Sequence, residues 1–243
     1  MQINRMEGIT LQKDTAGIFF AHGRLQTTKD YISLINDFIA STRKLAFDQR
    51  NHGDRLVDDL HNKTWKEGNI NHAFDMWSVQ FGTAKDISYL IDVFPAYAGI
   101  KISDWGCFGV SLGGHTTLLT MAHEPRIKVG VSIIGCGDYV SLLTSRALNQ
   151  KEIFPKDDLR HNLFLDLLAK NDPINLTDRL KRRPLLCCNG LLDKLVPISD
   201  NENFFTRMKE ENSEKFQVFV DADAKHEVSN LMKLKTIEWF LKW

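Results

Sequence analysis

Short apolar runs alternate with longer segments of helical spacing along almost the whole chain. The apolar runs predict strands at 16–21, 44–48, 105–110, 127–134, 184–188 and 216–220. The spacing of apolar residues between them predicts helices at 30–40, 83–94, 115–122, 140–148, 159–168, 201–209 and 228–243. Strands that alternate with helices are typical of a mostly parallel sheet with helices on both faces. The pattern therefore predicts an α/β fold of three layers.

Some local features are less regular than this pattern. The helix after 83 is expected to end near Pro95, because proline interrupts helical hydrogen bonding. Residues 55–80 are polar with scattered aromatic side chains and are hard to assign. Apolar stripes are expected to face inward on the first and the last predicted helix, at Tyr31, Leu34, Ile35 and Phe38, and at Leu231, Leu234, Ile237 and Leu241.

A chain of 243 residues is typical of one α/β domain, and residues 1–243 contain no repeat or linker. Residues 136–183 exceed what one crossover connection needs. This stretch is a candidate for a small helical cap over the functional site.

Composition narrows the class of protein. Lys plus Arg and Asp plus Glu number 31 each, without a long run of one sign, so no nucleic-acid or anionic-membrane partner is expected. No apolar stretch approaches the ~18 residues that span a bilayer, and the first residues do not resemble a signal peptide. The four cysteines lie in or beside apolar runs and are expected to be buried free thiols. We therefore expect a cytoplasmic protein without a metal or another cofactor.

The most informative motif is Gly109-Val110-Ser111-Leu112-Gly113-Gly114, which lies between a predicted strand and a predicted helix. This context favours a nucleophile elbow, the sharp turn that exposes a reactive serine above a sheet. Glycine on either side removes the Cβ atoms that would clash in such a turn. Ser111 is therefore the candidate nucleophile.

A serine hydroxyl needs a base, and the base needs a carboxylate that orients it. Asp193 follows the strand at 184–188 and His226 follows the strand at 216–220, so both are expected at strand ends near Ser111. Three alternative acids remain: Asp138, Asp221 and Asp223. The other histidines are weaker candidates for the base, and His115 is expected to pack or to cap.

An oxyanion formed at the serine would need two hydrogen-bond donors. The N–H of Leu112, directly after the nucleophile, is the first candidate. The loop after the first strand, His22-Gly23-Arg24, would supply the second, with the Arg24 N–H preferred and Leu25 as its alternative. Five aromatic residues are candidates for lining a substrate pocket, although such residues also anchor loops: Trp65, Phe74, Trp77, Tyr139 and Phe154.

Five segments, taken in chain order, resemble the α/β-hydrolase-fold serine hydrolases, and in particular their prolyl-oligopeptidase-like and dienelactone-hydrolase-like esterase branch. They are residues 20–23, 48–53, 109–114, 189–197 and 225–227. The resemblance implies a three-layer α/β-hydrolase fold and the roles of nucleophile, acid and base for Ser111, Asp193 and His226. It also implies that the Asp48–Gly53 segment shapes a loop and that His52 is not catalytic.

The chain departs from that family in two respects. Only about 16 residues precede the first clear strand, so the opening antiparallel strands are expected to be shortened or missing. The length leaves no room for a propeller domain, which favours small ester or thioester substrates over peptides. Other functions stay open: a hydrolase-fold protein that only binds a small molecule, an acyltransferase and a small aminopeptidase.

Overall fold

The computed structural model describes residues 15–37, 43–150, 159–211 and 214–243. These residues form one sheet of six strands: β1 Thr15–Ala21, β2 Arg43–Ala46, β3 Ile102–Val110, β4 Ile127–Ile133, β5 Leu185–Gly190 and β6 Phe216–Asp221. The strands lie in the order β2-β1-β3-β4-β5-β6, and every neighbouring pair is parallel. The predicted parallel sheet is confirmed.

Eight α-helices occur in the described ranges: α1 Ile32–Asp37, α2 His72–Ala98, α3 Leu112–His123, α4 Tyr139–Gln150, α5 Leu159–Asn171, α6 Thr177–Leu180, α7 Glu202–Glu211 and α8 Asn230–Lys242. Most of the unassigned stretch at 55–80 consists of short 3-10 turns and the first part of α2. Helices α4, α5 and α6 lie within 136–183, of which 151–158 falls outside the described residues. That this stretch caps the site stays a prediction.

Both faces of the sheet are buried, as the alternation of side chains along a strand requires. Phe19 and Cys187 belong to a core with residues of α2, α3 and α7. Their chain neighbours Phe20 and Cys188 belong to a second core, with residues of α1 and α8. The predicted three layers are therefore confirmed, and all four cysteines are buried and free.

The sheet order creates a crevice between the ends of β1 and β3. After β1 the chain passes to α1 on one face, and after β3 it passes to α3 on the opposite face. Neighbouring parallel strands whose connections diverge leave an opening at their carboxyl ends, where α/β proteins bind ligands. The loop at 22–25 and the turn at Ser111 both lie at this opening.

Helix α2 is longer than its sequence pattern predicts. It begins at His72 and continues past Pro95 to Ala98. Buried polar residues in its first half, such as Gln80, obscured the apolar spacing. Pro95 cannot donate to the Ile91 carbonyl, but it lies in the final turn, so the interruption affects only the end of the helix. It ends at Gly99, whose φ of 62° is the left-handed conformation that favours glycine.

The predicted inward stripe of α8 is wrong. Leu231, Leu234 and Leu241 are 53%, 55% and 70% exposed, and Ile237 is half-buried. The buried stripe consists instead of Met232, Thr236 and Trp239. Thr236 can lie in this core because its hydroxyl donates a hydrogen bond to the Met232 carbonyl at 2.8 Å within the same helix. Because threonine is treated as polar in a hydrophobic pattern, the sequence pattern did not reveal the buried stripe.

Of the stripe predicted for the helix at 30–40, Ile35 is buried and Tyr31 is half-buried, both in the core that contains Phe20 and Cys188. Nothing is described of the Leu34 side chain, and Phe38 lies outside the described residues. No helix among the described residues is both long and apolar enough to cross a bilayer.

Substitutions on α8 distinguish the two stripes. Met232→Ala should lower the free energy of unfolding by about 2–5 kcal/mol, because it removes a fully buried side chain and leaves a cavity. Leu234→Ala, on the exposed face, should change it by less than about 1 kcal/mol. Urea denaturation of both variants checks this, and equal losses would contradict the assignment.

Two buried histidines hold loops near the crevice. The His22 Nδ1–H donates to the Gly23 carbonyl at 2.7 Å, and its Nε2 accepts from the Gln49 N–H at 2.8 Å. Nδ1 of His115 accepts from the Cys136 N–H at 2.8 Å, so His115 packs as expected. Burial lowers the pKa of His22 to about 4 and that of His115 to about 3.

Stability should therefore fall in mild acid. Below about pH 6.5 the unfolded chain takes up protons at these histidines, whereas the folded chain does not until about pH 4. Each histidine should then cost about 1.4 kcal/mol of unfolding free energy per pH unit over that interval. Urea midpoints between pH 7.5 and 5 measure the slope. His115→Asn, which keeps an acceptor for the Cys136 N–H, should make it shallower, and an unchanged slope would contradict this account.

Candidate active site

Ser111 lies in the sharp turn between β3 and α3 and has an unusual backbone conformation. Its φ of 54° and ψ of −113° are strained for a residue with a side chain. The Ser111 N–H donates to the Ile133 carbonyl at 2.9 Å, and the His115 N–H donates to the Ser111 carbonyl at 3.0 Å. Hydrogen bonds to β4 and within α3 therefore hold the strained turn.

The glycines of the motif allow backbone segments to touch. A Cβ atom on Gly109 would overlap the backbone of Gly113, and one on Gly113 would overlap the backbone of Ala21. A Cβ on Gly114 would lie 2.7 Å from the carbonyl oxygen of Ile133. The first turn of α3 therefore packs directly against the ends of β1 and β4, which brings Ser111 beside the loop at 22–25.

The three side chains predicted for a catalytic triad lie in one hydrogen-bonded chain. Ser111 Oγ lies 2.9 Å from His226 Nε2, and His226 Nδ1 lies 2.7 Å from Asp193 Oδ2. Because a carboxylate can only accept, Nδ1 carries the proton and the neutral ring leaves Nε2 as the acceptor for the serine hydroxyl. The arrangement can deprotonate the serine.

Asp193 is well suited to hold the imidazole. Its side chain is fully buried, and its second oxygen accepts hydrogen bonds from the N–H groups of Leu195 and Val196 at 2.8 and 2.9 Å. Burial alone would raise the pKa of Asp193. The hydrogen bonds from His226 and from these two backbone groups outweigh burial and hold the pKa below its usual value. Asp193 therefore stays a carboxylate at neutral pH.

The alternative acids lie in other contacts. Asp138 accepts hydrogen bonds from the N–H and the hydroxyl of Ser141 at 3.0 and 2.7 Å, at the start of α4. Asp221 accepts from the Asp223 N–H at 3.1 Å within its own turn. His226 is therefore paired with Asp193 rather than with these carboxylates.

The segment after β2 supports the crevice. Asp48 accepts hydrogen bonds from the N–H groups of Thr28 and Asp54 at 2.8 and 2.9 Å. A Cβ on Gly53 would overlap the Asp48 carboxylate. His52 is buried, and its Nδ1–H donates to the Arg50 carbonyl at 2.9 Å. These contacts match a loop-shaping role for this segment.

Ser111 and His226 open into a cavity of about 660 Å³. Leu112, Arg24 and Leu25, the predicted oxyanion donors and the alternative, also line it. The N–H of Leu112 is at the first position of α3, where no intrahelical acceptor exists. Which of these groups bind an oxyanion stays a prediction.

The lining of the cavity differs from the aromatic pocket predicted from the sequence. Trp77 and Tyr139 are buried in a separate core, and Trp65 packs against that core. Phe74 contacts Phe164, and Phe154 lies outside the described residues. One aromatic residue, Tyr31, does line the cavity, but it is not one of the five predicted. The rest of the apolar lining is aliphatic, together with one methionine: Leu25, Met76, Val110, Leu112, Ile134, Leu195 and Val228.

Sequence reasoning missed several polar residues of the cavity, among them the two basic residues His72 and Arg146. His72 begins α2, in the stretch that was hard to assign. Arg146 is on α4, within the stretch predicted as a cap over the site. Its position in that stretch was the one sequence feature that pointed to the cavity. No cluster of His, Cys, Asp or Glu that could hold a metal ion occurs in the part of the chain that the structure describes.

Comparison with known proteins agrees with this geometry. The model of the prolyl oligopeptidase family matches residues 82–243. YitV of Bacillus subtilis, which is named as a candidate esterase, is 30% identical over 174 residues, covering 69% of this chain and 68% of YitV.

Solved structures resemble the whole fold. TT1662 from Thermus thermophilus superposes with a TM-score of 0.74 at 18% identity, covering 100% of this chain and 98% of its own. The Pyrococcus furiosus esterase Pf2001 superposes with a TM-score of 0.61 at 18% identity, over 95% of this chain and 84% of its own. With the family match over two thirds of its length, the chain belongs to the prolyl oligopeptidase family of serine hydrolases with the α/β-hydrolase fold.

Proposed function

We propose that the protein is a serine esterase that cleaves small carboxylic esters or thioesters through an acyl-enzyme on Ser111. The observation that carries this proposal is the hydrogen-bonded chain from Ser111 Oγ through His226 to Asp193. The esterase names of YitV and Pf2001 support the same bond type.

In the first half of the reaction, Ser111 Oγ attacks the carbonyl carbon of the ester. Its proton passes to Nε2 of His226, and Asp193 stabilises the imidazolium that forms. The tetrahedral intermediate then collapses, the bond to the alcohol oxygen or thiol sulfur breaks, and His226 returns the proton to the leaving group. The Asp193 carboxylate keeps Nδ1 protonated throughout, so that Nε2 always faces the serine.

The negative oxygen of the intermediate would be stabilised by the N–H groups of Leu112 and Arg24. Both residues line the cavity at Ser111. Preorganised donors of this kind typically contribute ~3 kcal/mol each to the transition state. In the second half of the reaction, water attacks the acyl carbon while His226 takes its proton. The bond between the acyl carbon and Ser111 Oγ then breaks, His226 returns the proton to Oγ, and the acid product leaves.

We also propose that the protein acts in the cytoplasm. Cys107, Cys136, Cys187 and Cys188 are all buried and free. Free thiols persist best in a reducing compartment, which supports action in the cytoplasm.

Substitution of the nucleophile tests the function. Ser111→Ala should lower kcat by at least about 10⁴-fold on short p-nitrophenyl esters, because the attacking oxygen is lost. A fluorophosphonate probe should add to the intact wild-type protein at Ser111 and leave Ser111→Ala unlabelled, as mass spectrometry would measure. An unlabelled wild type would contradict the proposal and favour a protein that only binds its ligand.

Assays with other substrates distinguish an esterase from an aminopeptidase and an acyltransferase. Faster turnover of aminoacyl amides than of esters would indicate a small aminopeptidase. Transfer of the acyl group to an added alcohol in preference to water would indicate an acyltransferase.

The acid is tested by two matched substitutions. Asp193→Asn should lower kcat by roughly 10⁴-fold, because an amide no longer fixes the tautomer of His226 or stabilises its charged form. Asp138→Asn should lower it by less than about tenfold, since Asp138 contacts Ser141 and not the imidazole. Steady-state kinetics of both variants measure these losses in kcat. A larger loss for Asp138→Asn than for Asp193→Asn would assign the role of the acid to Asp138.

A further inference from the structure

We propose that the ester substrate carries a carboxylate group, which the guanidinium groups of Arg24 and Arg146 bind inside the cavity at Ser111. This inference rests on the proposed esterase function and names its substrate class. The two arginines come from different parts of the chain, the loop after β1 and helix α4, and line the same cavity as Ser111 and His226.

The Arg24 side chain is half-buried and only partly satisfied. One Nη group donates to the carbonyl of Asn62. Its Nε is buried and has no hydrogen-bond partner. An unpartnered buried donor is costly, so the hydrogen bonding of the Arg24 guanidinium is incomplete.

Arg146 is held in a fixed orientation. Its Nε and Nη2 both donate to the Leu195 carbonyl, at 3.1 and 2.9 Å, directly beside Asp193 and Val196. This carbonyl is a neutral acceptor, so it does not offset the positive charge of Arg146. Asp193 and Asp200 lie close enough to act on that charge without a direct ion pair. The loop that positions the acid therefore also positions a cation at the cavity.

Other arginines of the protein form ion pairs with carboxylates. Arg50 and Arg55 both pair with Asp86 at 2.7 Å, and Arg126 pairs with Glu124 at 2.8 Å. Neither Arg24 nor Arg146 forms an ion pair with a carboxylate of the described residues. Within the described residues, the two cations of the cavity thus lack a directly paired anion.

Keeping two like charges in a half-buried cavity is unfavourable. Burial and the charge of Arg146 lower the pKa of Arg24, and burial lowers that of Arg146. A carboxylate placed between the guanidinium groups would relieve this repulsion and form charge-assisted hydrogen bonds.

The remaining charges favour one negative group on the substrate. Glu227 lies at the exposed rim of the cavity and offsets part of the positive charge. Glu67 is near Arg24, but its carboxylate accepts from the N–H and hydroxyl of Thr64, at 2.8 Å each. Asp193 and Asp200 also lie near Arg146, although they bond to His226 and Ser145 instead. With these carboxylates already close, a single carboxylate on the substrate suits the cavity better than a doubly charged phosphate. The aliphatic lining fits a short alkyl chain between the carboxylate and the ester.

Matched esters test the inference on both sides of the scissile bond. On the acyl side we compare monoethyl glutarate with its neutral amide isostere, ethyl glutaramate. On the alcohol side we compare the butanoate esters of 4-hydroxybutanoate and 4-hydroxybutanamide. In at least one pair, kcat/KM should be roughly tenfold or more higher for the anionic ester. A ratio near one in both pairs would overturn the proposal.

Substitutions assign the preference to the arginines. The readout is the ratio of kcat/KM within a pair, in which a general loss of activity cancels. Arg146→Gln and Arg24→Gln should each bring the ratio toward one, and Arg146→Lys should retain part of it. Lys194→Gln removes an equal charge from an exposed position outside the cavity lining and should keep the wild-type ratio. A preference that survives both glutamine variants would overturn the assignment.

A binding measurement separates this inference from the proposed esterase function. Ser111→Ala, titrated calorimetrically with both ester pairs, should bind an anionic ester roughly tenfold or more tightly than its amide, and Arg146→Gln should remove the difference. Equal binding would overturn the anion site even if the wild type hydrolyses esters. Selective binding by a protein that fails to label at Ser111 would instead overturn the esterase function and leave the anion site standing.

Discussion

The close approach of the first turn of α3 to the end of β1 is the constraint on which the site depends. Only a residue without a Cβ atom fits at Gly113, where the helix backbone lies against Ala21. This contact brings the loop at 22–25 to the same place as the nucleophile. A bulkier residue would separate α3 from β1, and with it Ser111 from Arg24, although every polar side chain of the site would remain.

Around that contact, the site is fixed mainly by backbone groups. Asp193 is oriented by two N–H groups of its own loop, and Ser111 by a hydrogen bond to β4. His22 holds the loop after β1 through Gly23 and Gln49. Rigid supports of this kind reduce the reorganisation that a reaction requires, because the charged groups already lie where charge will develop.

Much of this arrangement could be predicted from the sequence, because its signals are local. The glycine spacing around Ser111 reflects backbone contacts, and the positions of Asp193 and His226 follow from the rule that parallel strands end at one edge. The inward face of α8 could not be predicted, because Thr236 satisfies its hydroxyl inside the helix and so behaves as a core residue. The cavity lining could not be predicted either, because Arg146 reaches it only through the packing of α4 beside Leu195.

The outward leucines of α8 affect the behaviour of the protein in solution. Leu231, Leu234 and Leu241 expose apolar surface on a chain whose formal net charge is zero at pH 7. Electrostatic repulsion between molecules is weakest under those conditions, so little opposes contact between such surfaces. Colloidal stability should therefore improve as the buffer moves away from neutrality on the alkaline side, where the buried histidines also stay uncharged.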